Sequence, residues 1–189
     1  MTRFCFQLHP ADPEVMFCAP VYPASARIGA TLLWRDFIAP HTDDLWSLVE
    51  FATIPESPDC DSAFRGQRCY FIAADYAGDA GTGERLVEPL RHLGPKAADV
   101  SGTMHDATMQ TLFDAPFPTG AFRCYGNNHL MAVLTDEMIA DALHNAIDNT
   151  LERSRSSIWS FGGAMASVPA EATAFGAQGL GWMHSLDLV

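Results

Sequence analysis

Four side chains that could bind a ligand or move a proton are spaced two residues apart in the segment 122–131. They are Arg123, Tyr125, Asn127 and His129, and a β-strand over this segment would place all four on one face of a sheet. The alternate positions predict a second face that packs on helices: Phe122, Cys124 and Leu130. A central strand with such a polar face is suited to bind a small molecule, and a face that only meets solvent is the alternative.

A second candidate segment, residues 158–165, combines aromatic side chains with two adjacent glycines. In a strand, Trp159 and Phe161 share a face, and Gly162 and Gly163 follow directly. A Gly-Gly pair allows another backbone or a planar ligand to approach closely. The alternative interpretation is a bulge or a tight turn between strands.

Several common catalytic patterns are not found in this sequence. The glycine-rich stretch at 78–83 lacks both the G-x-G-x-x-G spacing and the lysine of a phosphate-binding loop. The seven histidines show no compact ligand spacing, so we expect no metal site. The five cysteines are odd in number and contain no C-x-x-C pair, which indicates neither a disulfide framework nor a zinc site. A reducing, cytoplasmic compartment is therefore expected.

Composition restricts the class of partner. The 189 residues carry a formal net charge of −12 and have a pI of about 4.7, whereas nucleic-acid binding needs a basic surface. Anionic membrane surfaces are excluded by the same argument. Hydrophobic residues make up 48% of the chain, enough for a folded core. No apolar run approaches the ~18 residues of a membrane span.

Hydrophobic periodicity predicts the elements that must position these residues. Strands are expected over 4–8, 14–22, 45–54, 68–76, 121–132, 157–168 and 181–188. Helices are expected over 24–37, 82–93, 106–113 and 136–152, with Thr82 and Thr135 as N-caps. The order is typical of an α+β fold with a large antiparallel sheet and helices on one face, built around a ferredoxin-like unit. Both chain ends lie in strand patterns, so we expect a single domain over 1–189 that is part of a longer protein.

Three groups of short motifs follow one another in an order that resembles a known family. The first is Tyr76-Ala-Gly-Asp79 with Glu88-Pro-Leu-Arg-His-Leu-Gly94; the second is Met109-Gln-Thr-Leu-Phe-Asp114, Pro118-Thr-Gly120, Tyr125 and Leu130; the third is Phe161-Gly-Gly-Ala164, Val168-Pro169 and Ala172-Thr-Ala-Phe175. In this order they resemble the carboxyl-side half of the berberine-bridge-enzyme-like FAD-linked oxidases. The resemblance covers nearly the whole chain.

The resemblance implies a substrate-binding domain whose sheet covers the isoalloxazine ring of FAD, with helices behind the sheet. It implies the oxidation of an alcohol, amine or sugar by hydride transfer to the flavin. The family's FAD-binding domain is absent from 1–189, so FAD is a cofactor by resemblance only and the chain alone is expected to be inactive. Where some members have an acidic base before the Gly-Gly pair, this sequence has Trp159, Ser160 and Phe161.

On this hypothesis, each candidate residue has a predicted role in the flavin cavity. Tyr125 is the predicted catalytic proton donor or acceptor, and Gly162 and Gly163 are predicted to contact the cofactor. The substrate side is predicted to be lined by Gln110, Arg123, Asn127, His129 and Trp159. Expected partners are a small-molecule substrate and either a separate FAD-binding domain or a second copy bound through the sheet face, with no nucleic acid and no membrane.

Two other hypotheses remain open at this stage. The first is a free-standing ferredoxin-like small-molecule-binding module, or a dimeric monooxygenase, that needs no flavin. The second is an inactive remnant of an oxidase, a view supported by the missing base and the missing cofactor domain.

Overall fold

The structure, a computed structural model, describes residues 3, 5–7, 14–40, 45–54, 56, 58, 62–112, 114, 120–148 and 153–188. Within these residues the chain forms nine strands and four α-helices. The strands are β1 Glu14–Cys18, β2 Pro20–Pro23, β3 Leu45–Thr53, β4 Arg68–Tyr76, β5 Ala98–Asp99, β6 Gly102–His105, β7 Tyr125–Met131, β8 Arg155–Ser160 and β9 Trp182–Leu188. The helices are α1 Arg27–Ile38, α2 Ala80–Val87, α3 Asp106–Thr111 and α4 Asp136–Asp148.

The described strands form one antiparallel sheet in the order β5-β2-β4-β3-β8-β9-β7. β1 continues the line of β2 past Ala19, pairs with β4 and also pairs with β6. The nine-residue strands β3 and β4 pair along their full length and form the centre of the sheet. The α+β class and the large antiparallel sheet predicted from the sequence are confirmed.

Helices α1, α2 and α4 cover one face of the sheet, which we call the helix side. The core between them is apolar and includes Trp34, Val49, Ile72, Leu143 and Ile158, because each helix presents an apolar stripe to the alternate residues of the strands. The Trp34 indole donates to Ser47 Oγ at 2.8 Å, and that hydroxyl donates to the Ala73 carbonyl at 2.7 Å. The buried indole and hydroxyl are thus paired, and they fix α1 to the sheet centre.

The opposite face of the sheet, which we call the open face, carries a second and smaller apolar cluster. Phe17, Leu48 and Ala73 belong to this cluster, and Met109 of the short helix α3 packs on it. Helix α3 is therefore an exception to the prediction that the helices lie on one face. It covers the end of the open face near β1 and β6, and Trp46 and Trp159 beyond it are only half-buried.

The differences from the predicted elements lie mainly at their ends. Residues 5–7 are irregular rather than a strand, with Phe6 79% exposed; the rest of the predicted strand 4–8 is outside the described residues. β8 ends at Ser160, well before residue 168, because the chain turns at Gly162 and Gly163, whose φ values are 155° and 58°. β5 and β6 were not predicted, since two and four residues are too short to show an alternating pattern.

The start of α2 also differs from the prediction. Asp79, and not Thr82, is the N-cap: its carboxylate accepts from the Thr82 backbone N–H at 2.9 Å and from the Thr82 hydroxyl at 2.8 Å. The helix gives way to a 3-10 turn at Glu88–His92, where Pro89 cannot donate a helical hydrogen bond. The predicted Thr135 cap of α4 is confirmed by a bond of 3.2 Å from the Met138 N–H to its hydroxyl.

Candidate functional site

Strand register decides which side chains share a face. Val49, Ile158, His184 and His129 stand directly opposite one another on β3, β8, β9 and β7. Because directly paired residues point to the same side of a sheet, and because Val49 and Ile158 lie in the core under the helices, His129 belongs to the helix side. Met131, which is 8% exposed in the same core, fixes the same orientation for β7.

The predicted orientation of β7 is therefore reversed. Tyr125, Asn127 and His129 lie on the same face as Met131, the helix side, whereas Leu130 lies on the open face beside Met183. Two-residue periodicity identifies two faces, but a shift of one residue exchanges them. The sequence predicts burial of Leu130 against the helices, and the structure buries Met131 there instead. β7 is also an edge strand and not a central one.

The predicted ligand-binding residues of β7 remain exposed even though they lie on the helix side. Tyr125 is 67% exposed, because the helices cover the centre of the sheet and not this edge. His129 faces His184, whose Nε2 is 2.9 Å from Ser156 Oγ. Burial lowers the pKa of His184, and the nearby His129 lowers it further.

The remaining predicted residues lie in three different places. Arg123 precedes β7 in irregular structure and is exposed. Gln110 is exposed on α3, next to Met109, which packs on the open face. Trp159 lies on the open face, opposite Leu48 and Met183. The structure thus separates Trp159 from Tyr125, Asn127 and His129 by the thickness of the sheet, and these residues do not converge on one site.

The open face has an aromatic region near the ends of β3 and β8. Trp46 and Trp159 contact edge to face, with ring centroids 5.5 Å apart, and the Trp159 indole donates to Ser157 Oγ at 2.7 Å. Both rings are half-buried. Large aromatic rings that stay partly exposed on a sheet face are typical of contact surfaces for ligands or partners.

A polar network lies beside these rings on the open face. Arg155 Nη1 donates to Glu50 Oε1 at 2.7 Å, and Ser185 Oγ donates to Asp187 Oδ2 at 3.2 Å. Glu50 is 8% exposed; burial raises its pKa, and Arg155 opposes that rise. We did not predict this network, although a glutamate inside the apolar run 48–52 is a signal that could have identified it.

A shallow cavity of about 180 Å³ lies where β8 meets the Gly-Gly turn. Its lining includes Trp46, Ser160, Phe161, Gly162 and Met165. Pockets that enclose a small-molecule ligand usually measure roughly 300–1,000 Å³, so this cavity can hold only part of one. The positive φ angles of Gly162 and Gly163 account for both glycines by backbone conformation, and their predicted contact with a cofactor stays a prediction.

The glycine-rich turn at 78–83 does not offer a phosphate site. The Asp79 carboxylate occupies the amino end of α2 through its two bonds to Thr82, and a carboxylate in that position repels an anion. Within the described residues, no group of three or more His, Cys, Asp and Glu side chains could hold a metal ion. In the same part of the chain, no helix is long and apolar enough to cross a membrane.

Comparison with solved structures identifies the class of fold. A berberine bridge enzyme variant superposes with a TM-score of 0.70 over 95% of this chain and 37% of its own, at 14% sequence identity. The glucooligosaccharide oxidase of Acremonium strictum gives 0.67 over 94% and 38%, at 14% identity. A chitooligosaccharide oxidase gives 0.69 over 96% and 40%, at 11% identity.

This chain therefore has the fold of one domain of the berberine-bridge-enzyme-like oxidases, and the predicted resemblance is confirmed at the level of the fold. The chain spans about 36–40% of the length of these solved proteins. No protein-family model and no curated protein matches the sequence.

Proposed function

We propose that this chain is the substrate-binding domain of a FAD-dependent oxidoreductase and that its open face is the wall of the active site. The observation that carries the proposal is the composition of that face. The exposed face of an antiparallel sheet is ordinarily polar, yet here Trp46, Trp159 and Met183 are half-buried on it. The structural neighbours that share this fold are oxidases.

The chemistry of the wall agrees with this function. Ligand sites combine apolar surface with a few fixed polar groups, and here a tryptophan pair lies beside the Glu50–Arg155 ion pair. The aromatic rings would exclude water and orient a substrate. The ion pair fixes the positions of the Glu50 carboxylate and the Arg155 guanidinium before the substrate binds. Neither step needs Tyr125, so its predicted catalytic role and the substrate-binding roles of Asn127 and His129 do not form part of the proposal.

The half-buried tryptophans of the open face would suit contact with the flat ring system of FAD, and the shallow cavity agrees with a site of which this chain supplies one side. When bound, the flavin would accept the hydride of the substrate. Trp46, Trp159 and the backbone at Gly162 are the groups of this chain that would face the ring and the substrate. In this proposal a separate domain binds the rest of FAD. We therefore expect the purified chain to carry no stoichiometric FAD.

The test is a titration of the chain with lumiflavin, the isoalloxazine ring without its phosphates, followed by flavin fluorescence. We expect weak binding, with Kd on the order of 1 mM, and a several-fold loss of affinity in Trp159→Leu, because stacking on the indole is worth about 1 kcal/mol.

The matched control is Trp182→Phe, which changes a half-buried tryptophan on the helix side. It should leave the lumiflavin titration unchanged. Equal affinities for Trp159→Leu and the unsubstituted chain would argue against the open face as the flavin-facing wall.

A second candidate function is a flavin-free binding module that dimerises. The half-buried rings of the open face would favour it, because a second copy could cover them and enclose a cavity. Sedimentation of the unsubstituted chain separates the two: a stable dimer that dissociates in Trp159→Glu supports the module, and a monomer supports the oxidase wall.

A further inference from the structure

Asp75 is an acidic side chain in the aromatic region of the open face. It lies near the end of β4, directly opposite Trp46 on β3 and Phe17 on β1. Side chains that are paired in this way have Cβ atoms about 5 Å apart. Trp46 in turn contacts Trp159 and lines the shallow cavity, so one indole connects the carboxylate of Asp75 with the proposed substrate wall.

Among the residues that the structure describes, Asp106 is the charged group that acts on the Asp75 carboxylate, and no basic side chain pairs with it. Its Oδ1 atom is buried and has no hydrogen-bond partner among the described residues. Burial raises the pKa of Asp75 to about 6, and the like charge of Asp106 on α3 acts in the same direction. A carboxylate that is withdrawn from water without a partner destabilises the folded chain.

Two other carboxylates of the sheet show how such groups are normally compensated. Asp99 lies 2.7 Å from Lys96 Nζ and 3.2 Å from Arg91 Nη2; burial acts to raise its pKa, but these partners and Ser101 lower it to about 2. Glu50 is paired with Arg155 at 2.7 Å. Asp75 differs from both in having an acidic neighbour where they have a basic one.

The residues around Asp75 determine which kind of cation could pair with its carboxylate. A bare metal ion would need several oxygen ligands, and the described residues contain no such group of three. An organic ammonium group, in contrast, is attracted both by a carboxylate and by the face of an indole ring. Trp46, which is half-buried beside Asp75, provides apolar surface for the carbon skeleton that carries the charge.

We propose that Asp75 and Trp46 form a binding site for the protonated amine of a small organic molecule, whose apolar part lies along Trp46 and Trp159. The inference rests on the proposed function and narrows its substrate class from alcohols, amines and sugars to amines. The substrate amine would supply the positive charge that the described part of the chain does not place beside Asp75.

The experiment compares a charged probe with its neutral analogue on the full chain. The probes are 2-phenylethylamine, which is protonated at neutral pH, and 2-phenylethanol, and binding is followed by NMR of the tryptophan indoles. We expect the amine to bind about tenfold more tightly than the alcohol and to shift the Trp46 signal, because the carboxylate and the indole both favour a cation.

Asp75→Asn is the decisive variant. We expect it to bind the amine and the alcohol with about equal affinity, because the carboxylate that favours the amine is gone. It is expected to fold, because it removes an unpaired charge without changing the size of the side chain. The matched control is Asp141→Asn, which makes the same change at an exposed position on α4, on the helix side; the preference should survive there.

The outcomes separate the two proposals. The cation site is wrong if both probes shift the Trp46 and Trp159 signals with equal affinity. It is also wrong if Asp75→Asn keeps its preference for the amine. In either case the proposal that the open face is the wall of the active site is not contradicted. If lumiflavin shifts these indoles and neither phenylethyl probe does so, the cation site is again overturned and the wall again stands. If no probe and no flavin reaches the open face, both proposals are overturned.

Discussion

At the scale of single residues, the carboxylates of the sheet differ in the charges that face them. Asp99 and Glu50 have basic partners within 3.2 Å, and Asp75 has Asp106 instead. A residue that lowers stability while it occupies a ligand-facing surface is typical of functional sites, where the arrangement serves binding at the expense of folding. The stability of the chain should therefore show the presence of this carboxylate.

We predict that Asp75→Asn raises the free energy of unfolding at pH 7.5 by about 1 kcal/mol, a value reduced to allow for the partial contact of Asp75 with water. Its pKa is about 6 in the folded chain, above the ordinary 3.8, so the folded state binds the proton more tightly. The ionised carboxylate therefore destabilises the fold fully above pH 6, and this cost is lost as the pH falls toward 3.8.

Urea denaturation at about pH 7.5 and about pH 4 measures this prediction through the linear dependence of unfolding free energy on urea. The gain from Asp75→Asn should be present at the higher pH and small at the lower one. Asp141→Asn, on the exposed surface of α4, serves as the control and should change little at either pH. A loss of stability for Asp75→Asn at pH 7.5 would mean that the carboxylate already has a stabilising partner.

At the scale of elements, the sequence was sufficient to predict a helix or strand where its apolar residues recur along one face over many positions. β3, β4, α4 and β9 were predicted to within a few residues, because apolar positions that recur along a segment of seven residues or more specify both type and position. β5 and β6 were missed because they are short. The end of β8 depends on the backbone angles of Gly162 and Gly163, which residue type permits but does not require.

The candidate site was less predictable than the fold, and β7 shows why. The alternation of Tyr125, Asn127 and His129 was correctly recognised as one face of a strand, but which side of the sheet that face joins is decided by the register of β7 on β9. Trp159 is among the residues that the sequence predicts for the site, whereas Glu50 and Asp75 are not. The surroundings that single out these two carboxylates come from distant parts of the chain: Arg155 for Glu50, and Phe17 and Asp106 for Asp75.

The orientation of β7 gives the prediction at this scale. Met131 lies in the helix-side core and Leu130 on the open face. We expect Met131→Ala to lower the free energy of unfolding by about 3 kcal/mol, because it leaves a cavity in packed surroundings. Leu130→Ala should cost about 1 kcal/mol or less, since its side chain is only half-buried.

Urea denaturation of the two variants compares their free energies of unfolding and shows which face of β7 packs against the helices. If Leu130→Ala is the more destabilising of the two, β7 is turned over, and Tyr125 and His129 belong to the open face with Trp159.

At the scale of the whole molecule, the two faces of the sheet differ in the residues that they carry. The helix side holds the core that stabilises the domain, including the edge-to-face contact of Trp34 and Trp182 with centroids 5.6 Å apart. The open face carries the second tryptophan pair, the Glu50–Arg155 ion pair and Asp75, whose Oδ1 has no hydrogen-bond partner among the described residues. The cavity of about 180 Å³ is too small to enclose a substrate, which agrees with the proposal that the open face is one wall of a site completed by another surface.

The four tryptophans allow a direct test of this division, since two lie on each face. Two-dimensional ¹H–¹⁵N NMR of the labelled chain records each indole N–H separately while lumiflavin is added. The account predicts that the signals of Trp46 and Trp159 shift and saturate together while those of Trp34 and Trp182 stay in place. Shifts confined to Trp34 and Trp182, or no shift at any indole at the solubility limit of lumiflavin, would contradict the claim that the open face is built to meet a flavin and its substrate.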